Sequence, residues 1–226
     1  MIEVKNLVKT FKDGDRETRV LKGITFKAEP GEFVAIMGRS GAGKSTFMYQ
    51  MSLLDTPTSG EVYIDGKEMH TMSERIKHRV RLVKLGYVFQ DYALLPELTA
   101  IENVMVPLLM QGFSKAQATE KAKAALTRVN LSERVDNLPS QLSGGEQQRV
   151  SIARAIAHQP EVLFADEPTA NLDRESSLVV MQIFKELHEA GQTIIMVTHE
   201  EDYGQMAKRL IKIEDGRIVG DEVLSE

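Results

Sequence analysis

Three stretches of the chain are apolar without a break for the length of one strand: Phe33-Val34-Ala35-Ile36-Met37, Val162-Leu163-Phe164-Ala165 before Asp166, and Thr193-Ile194-Ile195-Met196-Val197-Thr198. A strand without polar alternation is buried on both faces. Residues 174–190 place apolar side chains at helical spacing between the second and third runs, and strand–helix–strand alternation predicts a parallel sheet. The first 30 residues follow another rule. Ile2, Val4, Leu7 and Val8, then Val20, Leu21, Ile24 and Phe26, alternate in part, which predicts antiparallel strands broken by the polar residues 12–19 and by Gly23. Residues 57–60 form a turn, and residues 61–66 alternate into a strand of the same region that ends in an Asp-Gly turn. Ile76, Val80 and Val83 have helical spacing within the charged residues 73–82, and residues 86–89 read as a short strand ending at Gln90.

Between residues 91 and 160 the pattern changes to helices: an apolar loop, Leu94-Leu95-Pro96, precedes helical spacing over 100–110 and 115–130, with no strand. Ser114 and Gln117 have capping-box spacing, as do Ser143 and Glu146, which open a further helix. The second box is an ordinary helix start, except that Gly144 and Gly145 fill its first turn. Glycine there suits a backbone that something must approach closely, and the exposed N–H groups of a helix start form an anion site. At the tail, residues 210–213 and 217–219 predict a hairpin about Asp215-Gly216. The expected architecture is α/β: a mainly parallel core and an antiparallel β subdomain from residues 1–90 and 161–226, with residues 91–160 inserted as a helical subdomain.

Directly after the first apolar run stands Gly38-Arg39-Ser40-Gly41-Ala42-Gly43-Lys44-Ser45-Thr46, which fills every fixed position of G-x-x-x-x-G-K-[ST]. The strand before it and the helical spacing of Phe47, Met48, Met51 and Leu54 after it are the context in which this loop cradles phosphate. Its glycines let successive N–H groups turn inward, Lys44 reaches the β- and γ-phosphates, and the Ser45 hydroxyl can ligate Mg²⁺, with Thr46 a weaker helper. A nucleoside triphosphate is the expected ligand. All three apolar runs end in polar chemistry: this loop, Asp166-Glu167, and His199. In a parallel sheet those ends share one edge, where ligands bind. Asp166 is then placed to hold Mg²⁺ and Glu167, facing away from it, to orient or deprotonate a water. His199 and Gln90 can bond the γ-phosphate or that water; alone each would more often be structural, and their common edge reverses those odds. Phe11 can stack on a base or cap the core.

Composition narrows the class. Charged residues make up 27% and hydrophobic ones 42%, as in ordinary globular chains, and no apolar stretch approaches the roughly 20 residues of a bilayer span. Any membrane role therefore needs a partner. There is no cysteine, which excludes disulfides and thiolate chemistry, and the N-terminus lacks the blocks of a secretory signal, so a cytoplasmic location is expected. A net charge of -5 argues against a broad nucleic-acid surface.

Over nearly its whole length the chain resembles the ATP-binding cassette ATPases of ABC transporters. Leu142-Ser143-Gly144-Gly145-Glu146-Gln147-Gln148 looks like the family signature, Phe11 stands where an adenine-stacking aromatic (more often tyrosine) is found, and Gln90 falls at the Q-loop glutamine. Asp166 and Glu167 match the Walker B pair, Ala170-Asn171-Leu172-Asp173 the D-loop, and His199 the switch histidine. The phrase from Phe89 to Val104 and the Asn171-Leu172-Asp173 run look most like the LolD, MacB and FtsE branch. The resemblance implies Mg-ATP held between two subunits, the phosphate loop of one facing Ser143–Glu146 of the other, in a homodimer peripheral to the inner face of the cell membrane. Its partners would be integral permease subunits of the MacB, LolC-LolE or FtsX kind, with Gln90 also near the metal. Transport of lipoprotein, macrolide, peptide or haem is implied, with cell-wall regulation at division as the alternative. A soluble DNA-repair or translation cassette is disfavoured, because neither a long coiled coil nor a second cassette is present.

Overall fold

The computed structural model describes residues 1–14 and 16–224. In chain order these form β1 (Ile2–Asp13), β2 (Arg16–Ala28), β3 (Phe33–Met37), α1 (Lys44–Met51), β4 (Ser59–Ile64), β5 (Lys67–Glu68), α2 (Glu74–Lys84) and β6 (Leu85–Val88). Then follow α3 (Ala100–Met110), α4 (Lys115–Arg128), two 3₁₀ turns, α5 (Gly144–Ile156), β7 (Val162–Asp166), α6 (Arg174–Glu189), β8 (Thr193–Val197), α7 (Glu201–Gly204), β9 (Arg209–Glu214) and β10 (Arg217–Val223).

The three apolar runs pair as their burial requires. Strand order in the larger sheet is β10-β9-β3-β8-β7-β6, parallel at every junction except the terminal β9–β10 hairpin. β7 and β8 are buried at every position, so both faces must be covered. One face carries α3, α4, α5 and α6, whose Val104, Leu108, Leu126, Val150, Phe184 and Leu187 pack with Phe33, Leu163, Ile194 and Met196. The other carries α1 and the smaller sheet, β2-β1-β4-β5, where Phe47 and Met48 meet Val34, Ile36, Phe164 and Ile195. Each such fully buried side chain contributes about 1.5–3 kcal/mol.

Register then aligns the chemistry. Ile36 pairs with Val197, and Val197 with Asp166, so the loops after β3, β7 and β8 leave the sheet at one level of one edge. β6 pairs alongside, Val88 opposite Ala165, and delivers Gln90 two residues past its end.

Several local expectations are corrected. Residues 12–13 and 16–19 do not interrupt the antiparallel strands: Lys12 pairs with Glu17 and Asp13 with Arg16, because backbone ladders need no buried face and a two-stranded ribbon can project into solvent. Leu54 lies beyond α1 and is exposed, since the chain leaves the helix at Ser52 and turns through Leu53, whose φ is 60°. Ile76 and Val83 keep helical spacing in α2 yet face solvent, while Lys77 is the buried residue. The helix predicted over 115–130 ends at Arg128, with Asn130 at φ 58°.

β6 packs against α5 at Gly86, where a Cβ would lie 2.5 Å from the Ala155 carbonyl oxygen and 3.0 Å from Leu163 Cδ1. The expected outcome for Gly86→Ala is a loss of about 1–3 kcal/mol through overpacking, read as a lower urea midpoint with unchanged slope.

Candidate functional site

At the end of β3 the chain bends under β9 so tightly that a Cβ on Gly38 would sit 2.2 Å from the Ile213 carbonyl oxygen. Gly43, at φ 101°, then reverses the backbone into α1. No side chain caps this helix and its first turn holds no acidic residue, so its N–H groups and dipole point, uncompensated, into the loop. The Lys44 side chain folds back over the same space, its ammonium donating to the Gly38 oxygen at 3.0 Å and the Arg39 oxygen at 3.3 Å. Backbone donors, a helix start and a buried ammonium converging on one concavity are the fittings of a phosphate site. The cleft, about 460 Å³, is lined by Gly38, Arg39, Ser40, Lys44, Glu167 and His199, joined by Glu201, Lys212 and Glu214.

The two adjacent acids divide. Asp166 Oδ1 accepts from the Ser45 hydroxyl at 2.9 Å and Oδ2 lies 3.4 Å from the Tyr87 hydroxyl. Burial holds the Asp166 carboxyl above its ordinary pKa, against the opposing hydrogen bond from Ser45. Desolvation and the neighbouring carboxylate raise the Tyr87 phenol, so it stays a protonated donor. Glu167 leaves the strand at φ 44°, a left-handed turn rarely adopted by non-glycine residues and concentrated at functional sites. That turn sends its carboxylate away from Asp166: Oε2 is 3.1 Å from His199 Nδ1 and Oε1 3.7 Å from the Lys44 ammonium.

The remaining candidates stand elsewhere. Ser143 Oγ accepts from the Glu146 N–H and Glu146 answers to the Ser143 N–H at 2.9 Å, a completed capping box that leaves the Gly144 and Gly145 amides as the first-turn donors of α5. None of these four residues lines the cleft of its own chain. Gln90 does not line the cleft; its carbonyl accepts from Asn171 Nδ2 at 3.0 Å. Phe11 lies on the projecting β1–β2 ribbon, half exposed, with the Lys9 ammonium 5.0 Å from its ring centre. Gly41, Ala42 and Thr46 complete the loop and the first turn of α1.

Sequence reasoning missed the residues that tie these parts together. Gln148, fully buried, donates 2.7 Å to the Pro168 oxygen and so fastens α5 to the turn after Glu167. Arg154 donates to the carbonyls of Tyr92 and Ala93, two left-handed residues just past Gln90. Tyr87 is hidden in a strand whose apolar pattern gives no hint of a polar partner. For Arg154 a signal existed: an arginine among buried alanines and isoleucines must find acceptors.

The fold and this edge define a phosphate-loop nucleoside triphosphatase. The chain matches the ABC transporter family over residues 21–170, and it belongs to that family as an ATP-binding cassette ATPase. An uncharacterized ABC transporter ATP-binding protein of Methanocaldococcus jannaschii is 49% identical over 219 residues, 97% of this chain and 98% of that protein. The lipoprotein-releasing system ATP-binding protein LolD of Aquifex aeolicus is 47% identical, over 91% and 92% of the two chains. The macrolide export ATP-binding/permease protein MacB of Bdellovibrio bacteriovorus is 46% identical over 99% of this chain, which spans only 34% of that protein. The dimeric cassette MJ0796, solved in a post-hydrolysis state with ADP and Pi, superposes with a TM-score of 0.93 at 39% identity over all of both chains.

A raised carboxylate pKa means the charged form destabilises the fold above that pKa. Asp166→Asn is therefore expected to raise the nucleotide-free thermal midpoint at neutral pH while lowering ATP turnover by roughly 100-fold or more. Scanning calorimetry and phosphate release measure the two effects.

Proposed function

We propose that this cassette is the motor of a membrane export or release complex, a homodimer that closes around Mg-ATP. The observation that supports it is the cluster at one sheet edge, where Ser45 meets Asp166 and Lys44 and His199 meet Glu167. Among the described residues no group of three His, Asp or Glu side chains converges to hold a metal alone. A hydroxyl beside one buried carboxylate suits Mg²⁺, which takes one or two protein oxygens and completes its shell from phosphate and water. Ser45 and Asp166 would hold the ion, with Gln90 adjacent; when bound it neutralises charge on the β- and γ-phosphates. Backbone amides from Gly38 to Gly43, with Arg39, Ser40, Ala42 and Thr46 shaping the loop, bind the phosphates, and Phe11 stacks on the base. Glu167 accepts the proton of the attacking water, and His199 orients that carboxylate and bonds the γ-phosphate.

The first turn of α5 lies off the cleft of its own chain with donors to spare at Gly144 and Gly145, which fits a role across a dimer, as MJ0796 is dimeric. ATP then joins the two subunits and hydrolysis releases them. Residues 1–90 with 161–226 act as the nucleotide-binding core, and residues 91–160 as the helical insert that turns toward the partner. Between α2 and α3 runs a groove of about 420 Å³ lined by Leu54, His78, Leu82, Phe89, Pro107 and Met110, with Leu95 exposed on the loop after Gln90. A cytoplasmic element of the integral membrane partner docks there, which places the cassette at the inner face of the membrane. No described helix is long and apolar enough to cross it. Likeness to LolD and MacB supports a lipoprotein, macrolide or similar amphiphile as the cargo of the complex.

Glu167→Gln keeps hydrogen-bonding reach and removes basicity, so turnover is expected to fall about 100- to 10,000-fold while ATP binding persists. Light scattering should find that variant dimeric with Mg-ATP and monomeric with ADP. Adding Ser143→Arg should abolish the dimer; a monomer in every nucleotide state before that addition rejects the composite site. Leu95→Asp, at a half-exposed position, should leave basal turnover intact and weaken copurification with the membrane partner.

A further inference from the structure

Helix α2 carries Arg75, Lys77, Arg79, Arg81 and Lys84 against Glu74 in 11 residues, within a chain of net charge -5. Three of these cations are committed inside the fold. Lys77 is buried beside Glu74 at 2.8 Å, Arg81 donates to the Leu53 oxygen at 2.7 Å, and Lys84 bridges Asp65 and Glu161. Arg75 and Arg79 are exposed and pair with no described residue. With a helical turn of about 100° per residue, Arg75, Ile76, Arg79 and Val83 fall in one sector about 100° wide. Ile76 and Val83 are 46% and 42% exposed, large for apolar side chains on a helix whose Lys77 is buried.

Two unpaired guanidinium groups alternating with two bare β-branched side chains, and no acid in the sector, form the face of a helix that lies on an anionic interface. Apolar groups enter the acyl boundary while the cations stay among headgroup phosphates. The surroundings point the same way. The flank of α2 next to Arg75, at His78 and Leu82, lines the groove shared with α3, and Gln111 Nε2 locks the two walls through the Leu82 oxygen at 2.7 Å. On the far wall Met110 is again exposed, 56%. By the same 100° step Arg75 and Arg79 fall beside Leu82, so the unpaired cations stand on the α2 rim of the groove and Met110 on the α3 rim.

We propose that the outer face of α2 binds anionic phospholipid headgroups, so that the cassette touches the bilayer surface directly beside its protein partner. The orientation rests on the groove receiving a membrane protein, as proposed above; the lipid contact itself needs no nucleotide chemistry. A continuous acidic segment of a protein would satisfy the same cations, but the flanking apolar side chains and their position on the rim favour lipid.

Sedimentation of the purified chain with extruded vesicles tests this, comparing pure phosphatidylcholine with phosphatidylcholine mixed with phosphatidylglycerol. Wild type is expected to pellet with the mixed vesicles, to be released by salt, and to ignore the neutral ones. Arg75→Gln and Arg79→Gln should each weaken partitioning about five-fold, and Arg75→Glu with Arg79→Glu should abolish it. ATP-dependent dimerisation of those variants, followed by light scattering, should match wild type, which shows the fold intact and separates this outcome from failure of the motor reading. Equal binding to neutral and anionic vesicles, or wild-type binding by the double charge reversal, overturns the proposal. So does a wild type that ignores both vesicles while the arginine variants lose the copurifying membrane protein, which would make the face a protein contact.

Discussion

A hydrogen bond of 2.9 Å joins Ser45 Oγ to Asp166 Oδ1 across 121 residues of chain, and the site depends on what makes that contact unavoidable. β3 and β7 never touch; each pairs with β8, and the two registers place Asp166 level with the exit of β3. Side chains apolar on both faces fix those strands in the centre of the molecule, and a parallel arrangement sends all their C-terminal ends to one edge. The helices and the antiparallel sheet that cover the two faces are what keep this edge in place.

Strain and burial concentrate where that edge does its chemistry. Burial raises the Asp166 carboxyl above its ordinary pKa, and Glu167 is forced through a left-handed turn to part from it. Neither arrangement favours the fold by itself. Both suit the proposed roles of these groups, beside a polyphosphate and a metal ion whose charges would reverse the local electrostatic balance.

The helical layer is joined to this edge by few but well-defined polar contacts. Gln148 reaches the backbone after Glu167, Asn171 reaches Gln90, and Arg154 grips the loop that follows Gln90. Because α5 begins at Ser143 and ends near Arg154, one rigid helix connects the first-turn donors of the signature to the loop beside the α2–α3 groove. A displacement at the groove therefore has a mechanical route to the first turn of α5, the proposed dimer contact, without passing through the sheet.

Sequence by itself determined the parallel core, the phosphate loop, the capping boxes at Ser114 and Ser143 and the convergence of Lys44, Asp166, Glu167 and His199. Each is written in local spacing: apolar runs with no alternation, a nine-residue motif, an oxygen three residues before a glutamate or glutamine. Tertiary structure decided what depends on neighbours remote in the chain. No apolar period marks residues 12–19, yet pairing of backbone with backbone joins residues 12–13 to 16–17. Ile76 and Val83 carried the period of a buried face, and only the packing of Lys77 and Arg81 inward turned that face out to solvent. Periodicity reports that a helix has two faces; which one the rest of the molecule covers is set by contacts that no window of sequence contains.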